Sequence, residues 1–165
     1  MYPPIKIQQP EPYDIVGDTV LVGGVGMGFE GVLNARVRDH DGTQLVSTSF
    51  TAGGTGTLAS FQVSMALPGI PSSHKGFVEV YEESASGLGD ELNKVTVPIV
   101  FGTFLLPSGY HGYALYTVQA GDSLSSIAAN WYGAMGMASH IYDANRNQIG
   151  DPNLIFPGQQ IRIPQ

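Results

Sequence analysis

The sequence predicts two domains, an all-β sandwich followed by a small α+β unit. Three observations predict this. Apolar residues recur every second position from Asp14 to about Phe104, and their spacing becomes helical after Tyr116. Between the two lies Leu106-Pro107-Ser108-Gly109-Tyr110-His111-Gly112, a stretch of turn residues with no apolar period. The division that follows is a tail over 1–13, a sandwich over 14–104, a linker over 105–115 and a second domain over 116–165.

Within the first domain, Phe61, Val63, Met65 and Leu67 share one face of a strand, with Gln62, Ser64 and Ala66 on the other. Leu33, Ala35 and Val37 alternate with Asn34, Arg36 and Arg38, and Asp41-Gly42 supplies a hairpin turn before Gln44-Leu45-Val46. Further strands are expected at 19–22, 77–81 and 94–101. Short strands separated by Gly, Ser and Pro turns define a β-sandwich.

In the second domain, Tyr116-Thr117-Val118-Gln119 opens as a strand. Leu124, Ile127, Ala128 and Trp131 fall on one helix face, with Asp122 placed as N-cap and Gly133 just past the end. A second helix is expected over 137–145, with Met137, His140, Ile141 and Ala144 in register. Asp151-Pro152-Asn153 breaks it, and Gln160-Ile161-Arg162-Ile163 closes the unit as a strand.

Composition narrows the function. The chain carries 14 acidic and 7 basic residues, and the first 110 positions hold 11 and 5 of them. That balance opposes nucleic acid and anionic membranes as partners, since both require a cationic footprint. With no cysteine there are no disulfides, thiolate metal sites or Cys nucleophile. The most apolar run, 97–107, is interrupted by Pro98, Gly102 and Thr103, and it is shorter than the roughly 20 residues of a membrane helix. The opening MYPPIKIQQP has no cationic start followed by an apolar stretch, so it does not read as an export signal.

Residues 24–31, GVGMGFEG, contain the spacing G-x-G-x-x-G of a dinucleotide loop. That loop requires a helix after its last glycine, so that the helix N-terminus faces the pyrophosphate. Here a strand pattern follows Gly31 and reaches a hairpin turn within about ten residues. The glycines therefore read as a turn or bulge in a sandwich.

Other candidates for chemistry also stay below a site. His40, His74, His111 and His140 lie far apart without i, i+4 partners, and Asp39-His40-Asp41-Gly42 lacks the bidentate acid of a calcium loop. Glu79, Glu82 and Glu83 form an acidic cluster, but Glu79 and Glu82 face opposite ways on a strand. No catalytic set assembles, and no metal or cofactor is implied.

The segment from Tyr116 to Pro164, YTVQAGDSLSSIAANWYG…IYDANRNQIGDPNLIFPGQQIRIP, resembles a LysM domain. The YTVQ-GDSL opening, Trp131-Tyr132-Gly133, Ala144-Asn145 and the DPNLIFPGQ-IRIP close carry the likeness. It implies a βααβ fold and binding of N-acetylglucosamine-containing glycans such as peptidoglycan or chitin. Carried over by position, one groove wall is Gly121, Asp122, Ser123 and Leu124. The other is Asn153, Leu154, Ile155 and Phe156. Helix capping alone accounts for Asp122, ahead of ligand contact, while Leu124, Ile155 and Phe156 are equally core or groove.

The first domain is similar to the Gmad2 domain, an immunoglobulin-like module of bacterial spore germination proteins. Phe29-Glu30-Gly31, Val37-Arg38-Asp39, Asp41-Gly42, the run 76–82 and the run 93–99 carry that likeness.

The two resemblances together imply a noncatalytic bacterial envelope protein, tethered to peptidoglycan or chitin-type oligomers, with the immunoglobulin-like domain presented to an envelope protein. The expected location is extracytoplasmic or in the cell wall, with the cytoplasm as the alternative. The segments 133–139 and 146–153 are longer than in the shortest LysM pattern, as in LysM units of some bacterial cytoplasmic and phage-tail proteins. A spore-coat or phage-tail-like assembly component that uses LysM for protein contact is a second reading, and a cell-wall hydrolase a third.

Overall fold

A computed structural model of the chain describes residues 4–54 and 56–165. Among the described residues the first domain has eight strands: β1 (Ile5–Gln9), β2 (Asp14–Val16), β3 (Thr19–Gly26), β4 (Val32–Asp39), β5 (Gln44–Thr51), β6 (Ala59–Ala66), β7 (Lys75–Glu83) and β8 (Glu91–Phe101). They form a three-stranded sheet, β1-β3-β6, and a five-stranded sheet, β2-β8-β7-β4-β5. Val20 and Val22 of β3, Phe61 and Met65 of β6, and Leu33, Ala35, Val37, Val78, Val80 and Ile99 of the larger sheet share one buried core. The alternation that predicts the strands is also what buries them, because every second side chain points inward.

The chain joins the sheets earlier than periodicity suggested. β1 lies inside the segment read as a tail, with Ile5 buried and Lys6 paired opposite Val25. The five residues IKIQQ carry only two apolar side chains and are flanked by prolines, so their period is too short to register.

The glycine-rich stretch serves close packing. Gly24 and Gly26 lie within β3, and Gly28 precedes a single 3-10 turn, Phe29–Gly31, that leads into β4. A Cβ at Gly24 would stand 2.1 Å from the Lys6 carbonyl oxygen of β1, so only glycine allows that pairing. At the other predicted turn, Gly42 adopts φ +88° and the Asp41 carboxylate accepts the Thr43 N–H at 2.8 Å.

The buried charges of the larger sheet are fully engaged. Arg36 donates through Nε to Glu79 (2.6 Å) and through both Nη atoms to Glu91 (2.6 and 2.8 Å), while its guanidinium lies over the Tyr81 ring. Glu82 instead accepts from Asn93 Nδ2 (2.7 Å) and the Phe29 N–H (3.1 Å). The acidic cluster is thus divided between separate structural contacts.

The second domain contains β9 (Tyr113–Thr117), α2 (Leu124–Tyr132), α3 (Ala138–Ala144) and β10 (Gln160–Pro164), with β9 and β10 antiparallel. Its core joins Val118, Leu124, Ile127, Ala128, Ile141, Ile149, Ile161 and Ile163. Trp131, expected on the inner face of α2, is 42% exposed and meets the Tyr116 ring edge-on.

The two domains are joined by more than a connecting strand of chain. The segment read as a linker opens with the last residue of a short helix, α1 (Gly102–Leu105), whose Leu105 packs with Val100 and with Ala144 of α3. Further along it, the Tyr110 ring lies against Gly102, where a Cβ would come within 2.5 Å. Arg162 of β10 donates through Nη1 to the Tyr13 carbonyl at 2.9 Å, and its other Nη reaches the carbonyl of Ala144. His74 and Asp143 approach to 3.6 Å across the same junction. Among the described residues, no helix is long and apolar enough to cross a membrane.

Candidate functional site

Two loops of the second domain face each other across a groove. The first runs from Val118 into α2, and the second occupies the positions between Gly150 and Gln160. Main-chain bonds hold them together: Val118 N–H donates to the Gln159 carbonyl (2.9 Å) and Gly158 N–H to the Val118 carbonyl (2.8 Å).

The first loop is preorganised by its own hydroxyls. Ser123, not Asp122, caps α2: its Oγ accepts the Ser126 N–H at 3.1 Å, and Ser126 Oγ accepts the Ser123 N–H at 2.9 Å. This corrects the capping role expected of Asp122. The Asp122 carboxylate accepts instead from the Tyr116 hydroxyl and the Gln119 N–H, both at 2.7 Å, so it closes the turn that precedes the helix. The bond to Asp122 raises the Tyr116 pKa, since losing the phenolic proton would set two anions side by side.

Asp151 organises the second loop in the same manner. Its Oδ1 accepts from the Asn153 N–H (2.8 Å) and from Asn153 Nδ2 (3.1 Å), and its carbonyl accepts the Leu154 N–H (3.0 Å). Behind both loops, the buried Asn145 locks α3 to β10. Its Nδ2 donates to the Ile141 and Arg162 carbonyls, each at 2.7 Å, and its Oδ1 accepts the Arg162 N–H at 2.8 Å.

Between the loops lies a cavity of about 360 Å³. Of the residues expected at the site, Asp122, Ser123, Leu124, Asn153 and Ile155 line it. Leu124 is 3% exposed, so it serves mainly as core. Gly121, Leu154 and Phe156 lie outside the lining, and the last two are 57% and 62% exposed.

Sequence reasoning missed Ser125, Ala138, Ser139, Tyr142 and Pro152, which complete the cavity. Ala138 and Tyr142 are four apart on α3, a spacing that placed them on one face without showing that this face meets the two loops. Tyr142 is held firmly, with its hydroxyl donating to the Gly150 carbonyl (2.9 Å) and Arg146 stacked over its ring at 3.9 Å. The lining offers hydroxyls, an amide and a carboxylate beside the apolar faces of Ala138, Pro152 and Ile155. That mixture suits a polar ligand with apolar ring faces and few charges. Among the described residues, no three His, Asp or Glu side chains gather as a metal-binding group.

Fold and groove together define a two-domain protein in which a β domain precedes a small α+β unit with a groove between two of its loops. Residues 4–88 match the profile of Gmad2, the immunoglobulin-like domain of bacterial spore germination, over just more than half of the chain, and the chain belongs to that family. Residues 116–164 match the LysM domain, whose members bind N-acetylglucosamine-containing glycans such as peptidoglycan and chitin.

Among relatives, the potassium binding protein Kbp of Escherichia coli O6:H1 (strain CFT073) is 29% identical over 110 residues, covering 59% of this chain and 74% of that protein. An uncharacterized protein of Deinococcus radiodurans is 49% identical over 53 residues, 32% of this chain and 20% of that one. Among solved structures, a Bifidobacterium dentium beta-glucuronidase complexed with coumarin-3-O-glucuronide matches at 10% identity, covering 70% of this chain and 18% of that one. Its TM-score is 0.36.

Proposed function

We propose that this is a noncatalytic bacterial envelope protein that holds N-acetylglucosamine-containing glycan, in the form of peptidoglycan, in the groove between the two LysM loops. The observation that carries this reading is the cavity formed where LysM-matching loops converge, with Ser123, Ser139 and Asn153 around apolar Pro152 and Ile155. Hydroxyl, amide and main-chain groups bond the acetamide and ring hydroxyls of a neutral sugar, while the apolar side chains meet its methyl and ring face. Of the positions carried over from the family, Asp122, Ser123, Leu124, Asn153 and Ile155 form the contact set. Gly121, Leu154 and Phe156 act at its rim, where a longer oligomer would pass.

The first domain, read as an immunoglobulin-like sandwich, presents a surface to another envelope protein, and the protein works outside the cytoplasm or in the wall. A disaccharide of roughly thirty heavy atoms at about 0.3 kcal/mol each sets a ceiling near 9 kcal/mol, and an open groove falls short of it. The LysM unit at 116–164 supplies no avidity by itself.

Retention of the purified protein on peptidoglycan sacculi and on chitin oligomers tests the reading. Binding to both, lost on filling the groove, supports it, and no retention on either overturns it.

The relative named for potassium binding favours a second reading, because its match exceeds the span of the LysM segment. With no group of three His, Asp or Glu side chains among the described residues, such an ion would be held by carbonyl oxygens. Thermal stability in KCl against NaCl at equal ionic strength separates the two.

A further inference from the structure

Tyr142 lines the groove on one side and, on the other, a second cavity of about 330 Å³ whose walls come from both domains. The β domain contributes Tyr13, His74 and Lys75, and the second domain contributes Tyr142, Arg146 and Gly150. In a chain of net charge -7 with only 7 Lys and Arg, two of those cations and a histidine meet here, and no carboxylate is among the lining residues.

The other cations are mostly committed. Arg36, Arg38 and Lys94 are drawn to Glu79 and Glu91, and Arg162 donates to main-chain carbonyls. Asp143, which is not among the lining residues, pairs with Arg146 at 3.0 Å and approaches His74 at 3.6 Å, so it offsets one positive charge. Lys75 makes no ion pair among the described residues. Its ammonium lies 5.5 Å from the centre of the Phe77 ring. Burial lowers the His74 pKa against the opposing pull of Asp143. Lys75, without an ion pair among the described residues, and Arg146, stacked on Tyr142 and donating to its hydroxyl at 3.1 Å, therefore line a cleft beside the groove.

We propose that this inter-domain cavity is a carboxylate subsite, which receives the acidic peptide substituent of a glycan seated in the groove. The inference rests on the groove reading and names its substrate more narrowly: a peptide-substituted amino sugar rather than plain chitin-type oligomer. Lys75 and Arg146 donate charge-assisted hydrogen bonds to the carboxylate, and Tyr142 separates the sugar from its substituent. The β domain is then part of the site, since Lys75 reaches the cavity only because the two domains are docked.

The test is calorimetric titration of the full chain with three probes: neutral tetra-N-acetylchitotetraose, a disaccharide-tripeptide from peptidoglycan, and the same tripeptide without sugar. Expected is a dissociation constant about tenfold lower for the disaccharide-tripeptide than for the neutral oligomer, an advantage that shrinks with added salt. Lys75→Ala reduces that advantage to within about twofold and Lys75→Glu inverts it, with chitotetraose affinity and melting temperature unchanged. Equal affinities for the two sugars, or an advantage that survives Lys75→Glu in a folded protein, overturns the subsite. Binding of the tripeptide alone, with no sugar bound, supports the subsite and overturns the groove reading. No binding of any probe overturns both.

Discussion

Arg162, on the last strand, donates through Nη1 to the main-chain carbonyl of Tyr13 at 2.9 Å, linking positions 149 apart in the chain. The same guanidinium bonds the Ala144 carbonyl and, at 3.2 Å, Asn147 Oδ1. One buried side chain thus ties the last strand, the end of α3 and the start of the β domain. Because the acceptors are mostly carbonyls, burial dominates its pKa, which is lowered but leaves a guanidinium charged.

Arg162→Ala is therefore expected to cost about 2–4 kcal/mol of stability, because it strands buried carbonyls and a packed cavity. Urea denaturation measures the loss. The docked orientation of the two domains should loosen as well, seen as diverging residual dipolar couplings. A single rigid alignment retained in the variant would show that the apolar contact of Val100, Leu105 and Ala144 suffices alone.

Asn145→Leu keeps the branched shape, though not the volume, and removes three hydrogen bonds, one within α3 and two that join it to β10. Leaving the Arg162 N–H and two carbonyls unpaired should cost about 2–4 kcal/mol. A change in melting temperature of less than a degree would contradict the role given to Asn145.

Acid should weaken the β domain. Burial alone would raise the Asp39 carboxyl, but bonds from Ser72 and His40 bring it down to about 2 from an ordinary 3.8. The hydrogen bond from Arg36 likewise holds Glu91 at about 2 against an ordinary 4.5, despite some burial. Both titrate lower folded than unfolded, so their stabilisation is complete above the unfolded values and lost as pH falls through about 4.5 towards 2. Unfolding free energy measured from pH 6 to pH 2 should fall across that window. Asp39→Asn should flatten part of the slope, and an unchanged slope would refute it.

Gly24→Ala should destabilise by about 1–3 kcal/mol, since the new methyl meets the Lys6 carbonyl and pushes β1 from β3. Gly69→Ala is the control, with open space around its Cβ and an expected effect within about 0.5 kcal/mol. Equal effects would deny the close approach.

Ser139→Trp places an indole across the groove from an exposed position on α3. It should abolish retention on peptidoglycan while shifting the melting temperature by no more than a degree or two. Undiminished retention would move the glycan site elsewhere.

Much of the fold was legible because local periods translate directly into burial. Phe61 and Met65 are buried with Val63 and Leu67 packed beside them, as their alternation implies, and Leu124, Ile127 and Ala128 form the inner face of α2. Gly133 ends that helix at φ +71°. The GVGMGFEG stretch was separable from a nucleotide loop for the same reason, since strand spacing follows it.

What remained hidden depends on distant neighbours. Asp122 and Ser123 are both good caps by residue type, and only the position of the Tyr116 hydroxyl decides that Asp122 turns away. Phe156 and Leu154 have the apolarity of core residues, yet this small core closes without them.

Sequence alone determined two domains, their order and families, and named five of the residues that line the cavity between the LysM loops, because those are written in residue types at fixed spacings. Tertiary structure decided that Tyr142 and Ser139 join the groove and that Lys75 faces Arg146 across the domain junction. Arg162 and the apolar contact around Leu105 set that junction, and no period within either domain encodes how two finished surfaces dock.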